Sequence, residues 1–113
     1  MMVNRHRGEI SAVLDGREWT LCLTLGALAE LEDAFGAQDL AVLLKRFSMS
    51  ALSANDIVKI IAAGLRGGGN ELAPEAIAQM RADGGITGFA RIVGELLSAT
   101  FGESNSEQAG SRL

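Results

Sequence analysis

Residues 9–24 read EISAVLDGREWTLCLT, an alternating run broken at its centre by Asp15-Gly16. Asp-Gly between alternating hydrophobic residues is a strong hairpin signal, because a type I′ turn needs positive φ at both central positions. If Leu14 faces Arg17 across that turn, Ala12 faces Trp19 and Ile10 faces Leu21, with Leu23 extending the same side. Glu9, Ser11, Glu18, Thr20 and Thr24 then share the opposite face. One face is apolar and the other mostly polar. Val13 and Cys22 are the exceptions on the polar side, which predicts that this face is partly covered by a helix or a partner.

Beyond Thr24 the period changes from two to three and four. Leu28, Leu31 and Phe35 recur at helical spacing, Thr24 is placed to cap the start and Gly36 to stop it. A second helix is expected from Asp39 as cap, with Leu40, Leu43, Leu44 and Phe47 on one stripe. Ser53 and Asp56 resemble a capping box opening a third helix, whose stripe is Ile57, Ile60, Ile61 and Leu65 and whose stop is Gly67-Gly68-Gly69. Pro74 suits the first turn of a fourth, shorter helix that carries Ile77 and Met80 inward and ends at Gly84-Gly85. In the fifth, Phe89, Ile92, Val93 and Leu96 follow the i, i+3, i+4, i+7 rule, Leu97 and Phe101 widen the stripe, and Gly102 ends it. Residues 103–113, ESNSEQAGSRL, are polar and aperiodic and read as a disordered tail. A lone two-stranded hairpin is marginal in water, so its apolar face needs the helices. The expected fold is α+β, an N-terminal β-hairpin packed against a bundle of four to five short α-helices, in a single domain over residues 1–102.

Composition narrows the function. A chain of 113 residues with 48% hydrophobic and 21% charged residues is globular and large enough for one core, and 4% aromatics make that core aliphatic. Ten Lys and Arg against 14 Asp and Glu leave a net charge of -4, which argues against nucleic-acid binding. The single cysteine, Cys22, cannot form an internal disulfide, so a cytoplasmic setting is expected. No apolar stretch of the secretory kind follows the positive charges of MMVNRHRGE. The run IVKIIAAGL, residues 57–65, is interrupted by Lys59 and too short to span a bilayer. A soluble protein without membrane or nucleic-acid partners is the expectation.

Residues capable of chemistry do not assemble into a known constellation. Glu30 and Asp33 share one side of their helix while Glu32 lies about 200° from Glu30, so the three acids do not converge and read as a solvated face. His6, between Arg5 and Arg7, reads as part of a basic arm whose functional use would be contact with an acidic partner surface or a phosphate. Cys22 and one histidine cannot build a zinc site of the familiar kinds, and a strand cysteine without a basic neighbour reads as a small core or interface residue. LRGGGNE, residues 65–71, follows a helix and lacks the Lys-Ser or Lys-Thr pair of a phosphate loop; it reads as a helix stop and a flexible connection. There is no Gly-x-Ser-x-Gly elbow. No catalytic, metal or cofactor residue is expected, and the protein reads as a non-enzyme that presents surface to a partner. The positions whose apolarity the core does not obviously need are Val13, Cys22, Leu97 and Phe101; Arg5 and Arg7 would add charge.

NRHRGEI (4–10), LDGREWTLCLTLGALAELEDAFG (14–36), LSANDIVKIIAAGLRGGG (52–69) and MRADGGITGFARIVGELLSATFG (80–102) together resemble the small tail protein of gene transfer agents and related prophages. That family is often labelled a tail tube protein and is classed with phage tail assembly chaperones. The most specific part is the unbroken LTLGALAELEDAFG followed downstream by GLRGGG. The resemblance implies a non-enzymatic role in building a siphophage-like tail. It suggests a chaperone that binds the tape-measure protein or the tail tube protein, with homo-oligomerisation as a further option. The alternative it leaves is a structural, tail tube-associated subunit retained in the particle. Location would be cytoplasmic in the first case and virion-associated in the second.

Overall fold

Asp15 and Gly16 both adopt positive φ, 56° and 74°, in the computed structural model, which describes residues 7–49 and 52–102. The turn joins β1 (Glu9–Leu14) to β2 (Arg17–Cys22) in the expected antiparallel register, from Leu14 opposite Arg17 to Glu9 opposite Cys22. A two-residue turn makes Leu14–Arg17, Ala12–Trp19 and Ile10–Leu21 the hydrogen-bonded pairs. The main-chain groups of Ser11 and Val13 on β1, and of Glu18, Thr20 and Cys22 on β2, therefore point away from the other strand. Ile10, Ala12, Leu14, Leu21 and Leu23 are buried on the helix-facing side. Trp19 is half-buried; its indole N–H donates to the Leu14 carbonyl at 3.1 Å and the Arg17 guanidinium stacks 4.4 Å from its ring.

Five helices follow: α1 (Leu25–Phe35), α2 (Leu40–Met49), α3 (Ala54–Gly67), α4 (Pro74–Ala78) and α5 (Ile86–Phe101). The starts of α1, α2 and α3 follow the capping chemistry of the sequence. Thr24 Oγ1 accepts the Ala27 N–H at 3.1 Å, and Asp39 Oδ1 accepts the Val42 N–H at 2.9 Å. Ser53 and Asp56 exchange side-chain bonds at 3.1 and 3.0 Å, which completes the capping box of α3. Gly36 closes α1 in the left-handed region at φ 67°.

α3 is the hub of the fold, packing against β2, α1, α4 and α5. Ile57, Ile60, Ile61 and Leu65 are buried as its stripe requires, and Ala62, Ala63 and Gly64 are buried too. Small residues on the second side let two neighbours come close: a Cβ on Gly64 would lie 2.7 Å from a Leu96 methyl and 3.2 Å from a Leu21 methyl. In α5, Ile92, Val93 and Leu96 are buried, while Phe89, Leu97 and Phe101 are half-buried against the same aliphatic core.

Three expectations are corrected. The glycine joint is no flexible connection. A Cβ on Gly67 would stand 1.9 Å from the Cys22 carbonyl oxygen, and one on Gly68 2.0 Å from that of Thr20. Asn70 then bonds the Thr20 carbonyl at 2.8 Å and the Leu65 carbonyl at 3.2 Å, so the end of α3 is clamped to the outer edge of β2. Second, the stripe of α2 is only half covered: Leu43 and Phe47 are buried, but Leu40 and Leu44 are each 38% exposed. α2 packs chiefly on α1, with Phe47 edge-on to Phe35 at 5.3 Å, and Arg46 reaches Asp56 of α3 at 3.7 Å. Third, α4 ends at Ala78, well before Gly84-Gly85. Arg81 is tied to the hairpin turn instead, its N–H donating to Asp15 Oδ1 at 2.9 Å and its carbonyl accepting the Asp15 N–H at 2.8 Å.

Candidate interaction surface

The three acids of α1 stay apart. Glu30 pairs with Arg66 of α3, Asp33 is exposed, and Glu32 is half-buried on another side of the helix. They border an open depression with Gly26, Ala29, Gly36 and Ala37, with no histidine, cysteine or hydroxyl among its lining. Among the described residues no group of three or more His, Cys, Asp and Glu is disposed to hold a metal, and no helix is long and apolar enough to cross a membrane.

Between α3, α4 and the start of α5 lies a cleft of ≈ 180 Å³. Leu14, Ile57, Ile61, Ile77, Met80 and Phe89 help to line it, and every lining side chain is apolar. A substrate site needs a few convergent polar groups to fix orientation, and this cleft supplies none from its side chains.

Of the residues singled out for partner contact, Val13 is 48% exposed on the outward face of the hairpin. Ser11 beside it donates its hydroxyl to Glu18 at 2.5 Å. Cys22 is half-buried and its thiol donates to the Arg7 carbonyl at 3.5 Å. Burial pushes the Cys22 thiol above its ordinary value, the charge of Glu9 adds to the rise and Arg7 opposes it. A thiol held in its neutral form is a poor nucleophile. Leu97 and Phe101 sit half-buried at the far end of α5, away from Val13 in the sequence order of the elements and packed on the core. Arg7 is exposed. Arg5, His6 and the expected tail over residues 103–113 lie outside the described residues.

The largest exposed apolar side chains include several that periodicity did not single out as surface: Leu40, Val42 and Leu44 on α2, Leu25 at the start of α1 and Ile86 at the start of α5. Val42 carried a signal, since it lies about 200° from Leu40 on a helix wheel and so off the stripe. Leu25 and Ile86 occupy first helical positions, where a side chain projects beyond the helix body. Leu40 and Leu44 carried none, because a stripe position is apolar whether covered by the same chain or by another.

A family model described as phage tail tube protein, GTA-gp10, matches residues 7–103. The chain belongs to that family. The match runs from just before β1 to just past α5 and so takes in every described element. No curated protein and no solved structure matches the chain. Membership of the GTA-gp10 family supports a structural role related to the tails of phages and gene transfer agents. The partners of such a protein are other tail proteins or further copies of itself.

Proposed function

We propose that the protein works without bond chemistry in phage-type tail morphogenesis, by apolar contact with the tail tube protein or the tape-measure protein. The observation that carries this reading is the half-covered stripe of α2, where Leu40 and Leu44 continue the row begun by the buried Leu43 and Phe47. An amphipathic helix whose apolar stripe is partly exposed suits helix-in-groove recognition. Val13, Cys22, Leu97 and Phe101, with Arg5 and Arg7, are secondary contact positions.

The family's description as a tail tube protein favours a tube-associated subunit that stays in the particle. The second reading is a cytoplasmic assembly chaperone, and the helical surface favours it. A long tape-measure helix exposes apolar stripes until tube subunits coat it, and a small helical domain can mask them meanwhile. Quantitative mass spectrometry of purified particles separates the two. A retained subunit is present in a fixed ratio to the tail tube protein, whereas a chaperone is absent or far below ring stoichiometry.

A further inference from the structure

Between Glu71 and Thr87 the single buried side chain is Ile77; Leu72, Met80 and Ala82 are half-buried and the others are exposed. α4, within this segment, packs on α3, yet the cleft of ≈ 180 Å³ remains beneath it. Two hydrogen bonds fasten the segment to the hairpin turn: the Arg81 N–H donates to Asp15 Oδ1 at 2.9 Å, and the Asp15 N–H donates to the Arg81 carbonyl at 2.8 Å. Both residues are exposed, so water competes for these bonds. Little buried apolar surface and solvent-exposed hydrogen bonds mark a part of a fold that opens locally at low cost. The two ends of the segment suit such a motion. Asn70 is pinned to the Thr20 and Leu65 carbonyls, and at the other end Gly84 and Gly85 take φ of 86° and 60°. Glycine adopts positive and negative φ about equally readily, so the joint into α5 is free to turn.

We propose that residues 71–83 form a lid over the apolar cleft, latched by Arg81 to Asp15 and hinged at Gly84-Gly85, which opens as one unit while the hairpin, α3 and α5 stay folded. Closed, the lid buries Ile77, and the Asp83 carbonyl lies 2.0 Å from the Cβ position of Gly88, an approach that glycine alone permits. Open, it bares Leu14, Ile57, Ile61 and Phe89 on the hairpin, α3 and α5. The partly exposed stripe of α2 is on the surface at all times, whereas this second apolar surface is presented only when the latch is undone. The lid goes beyond the proposed tail role and does not depend on it.

Native-state hydrogen exchange of the full chain, followed by NMR residue by residue, tests this in wild type, Asp15→Gly and Asp15→Asn. Both substitutions suit the positive φ at the turn, but only asparagine keeps a side-chain oxygen to accept the Arg81 N–H. In wild type the hydrogen-bonded amides of Ile77, Gln79, Met80 and Arg81 should share one opening constant, about a hundredfold or more above that of Ile60 and Ile61 in α3. Asp15→Gly should raise exchange of those amides about five- to tenfold beyond any change in α3, and Asp15→Asn by less than about twofold. The wild-type pattern decides even where a variant fails to fold. Lid amides that exchange only as slowly as α3 would overturn the lid, because the segment then opens only by global unfolding. Lid amides without protection, or each with its own opening constant, would overturn it as well, since no closed unit then exists. Equal effects of the two Asp15 substitutions would overturn the latch.

Discussion

Replacing Gly67 with alanine tests the clamp between α3 and β2. The new Cβ would stand 1.9 Å from the Cys22 carbonyl oxygen, and carbon–oxygen contacts close no tighter than about 3.3 Å. The end of α3 must therefore retreat by roughly 1.5 Å. Both atoms belong to backbone, so no side-chain rotation absorbs the overlap. A shift of that size carries the Asn70 amide, now 2.8 Å from the Thr20 carbonyl, out of bonding range. A lost hydrogen bond of about 1 kcal/mol added to overpacking of about 1 to 3 kcal/mol gives a destabilisation of about 2 to 4 kcal/mol. For a domain with roughly 5 to 15 kcal/mol of stability this is a large fraction. The comparison is Gly94→Ala on α5, where the position is exposed and a Cβ would meet nothing within 4 Å. There the methyl should stabilise by about 0.5 to 1 kcal/mol through helix propensity. Urea unfolding monitored by Trp19 fluorescence reads both. Gly67→Ala should lower the midpoint by about 1 to 2 M while Gly94→Ala raises it slightly. Equal stability of Gly67→Ala and wild type would refute the clamp.

Asp56→Ala removes the reciprocal half of the α3 capping box and the 3.7 Å ion pair with Arg46, and should cost about 1 to 2 kcal/mol in thermal or urea unfolding. Arg66→Ala breaks an ion pair whose side chains are 39% and 52% exposed, so its cost should stay below about 1 kcal/mol and shrink with added salt. Because the folded state holds the Cys22 thiol above its ordinary value, the unfolded chain ionises first as pH rises. Stability should be flat below about pH 8 and fall above it, and alkylation of Cys22 in the native protein should lag behind a free thiol at every pH in that range. Leu40→Ser together with Leu44→Ser should lower the unfolding midpoint only modestly, since each side chain is 38% exposed, yet weaken binding to the tail partner; a folded double variant that binds as wild type does would contradict the surface role of α2.

The hairpin was legible because its information is local: a period of two, an Asp-Gly turn and a register that follows by counting. The starts of α1, α2 and α3 were legible for the same reason, since Thr24, Asp39 and the Ser53–Asp56 pair act on amides three residues away. What escaped was tertiary. Periodicity says which side of α2 is apolar but not that α1 covers only half of it. Three consecutive glycines announce the end of a helix, while the carbonyls that require Gly67 and Gly68 belong to residues some 45 positions earlier in the chain. The course of the chain after α4 is likewise tied to a distant residue, since the carboxylate and N–H of Asp15 hold Arg81 from across the fold. The tail role rests on family membership, which no count of stripes could supply.

Calorimetric titration of the purified protein with the tail tube protein and the tape-measure protein of the same tail tests most directly whether it acts by contact with another tail protein. Saturable binding to one of them is expected, at fixed stoichiometry and with a negative heat-capacity change from burial of apolar surface. The absence of binding to both proteins, with the chain folded, would contradict it.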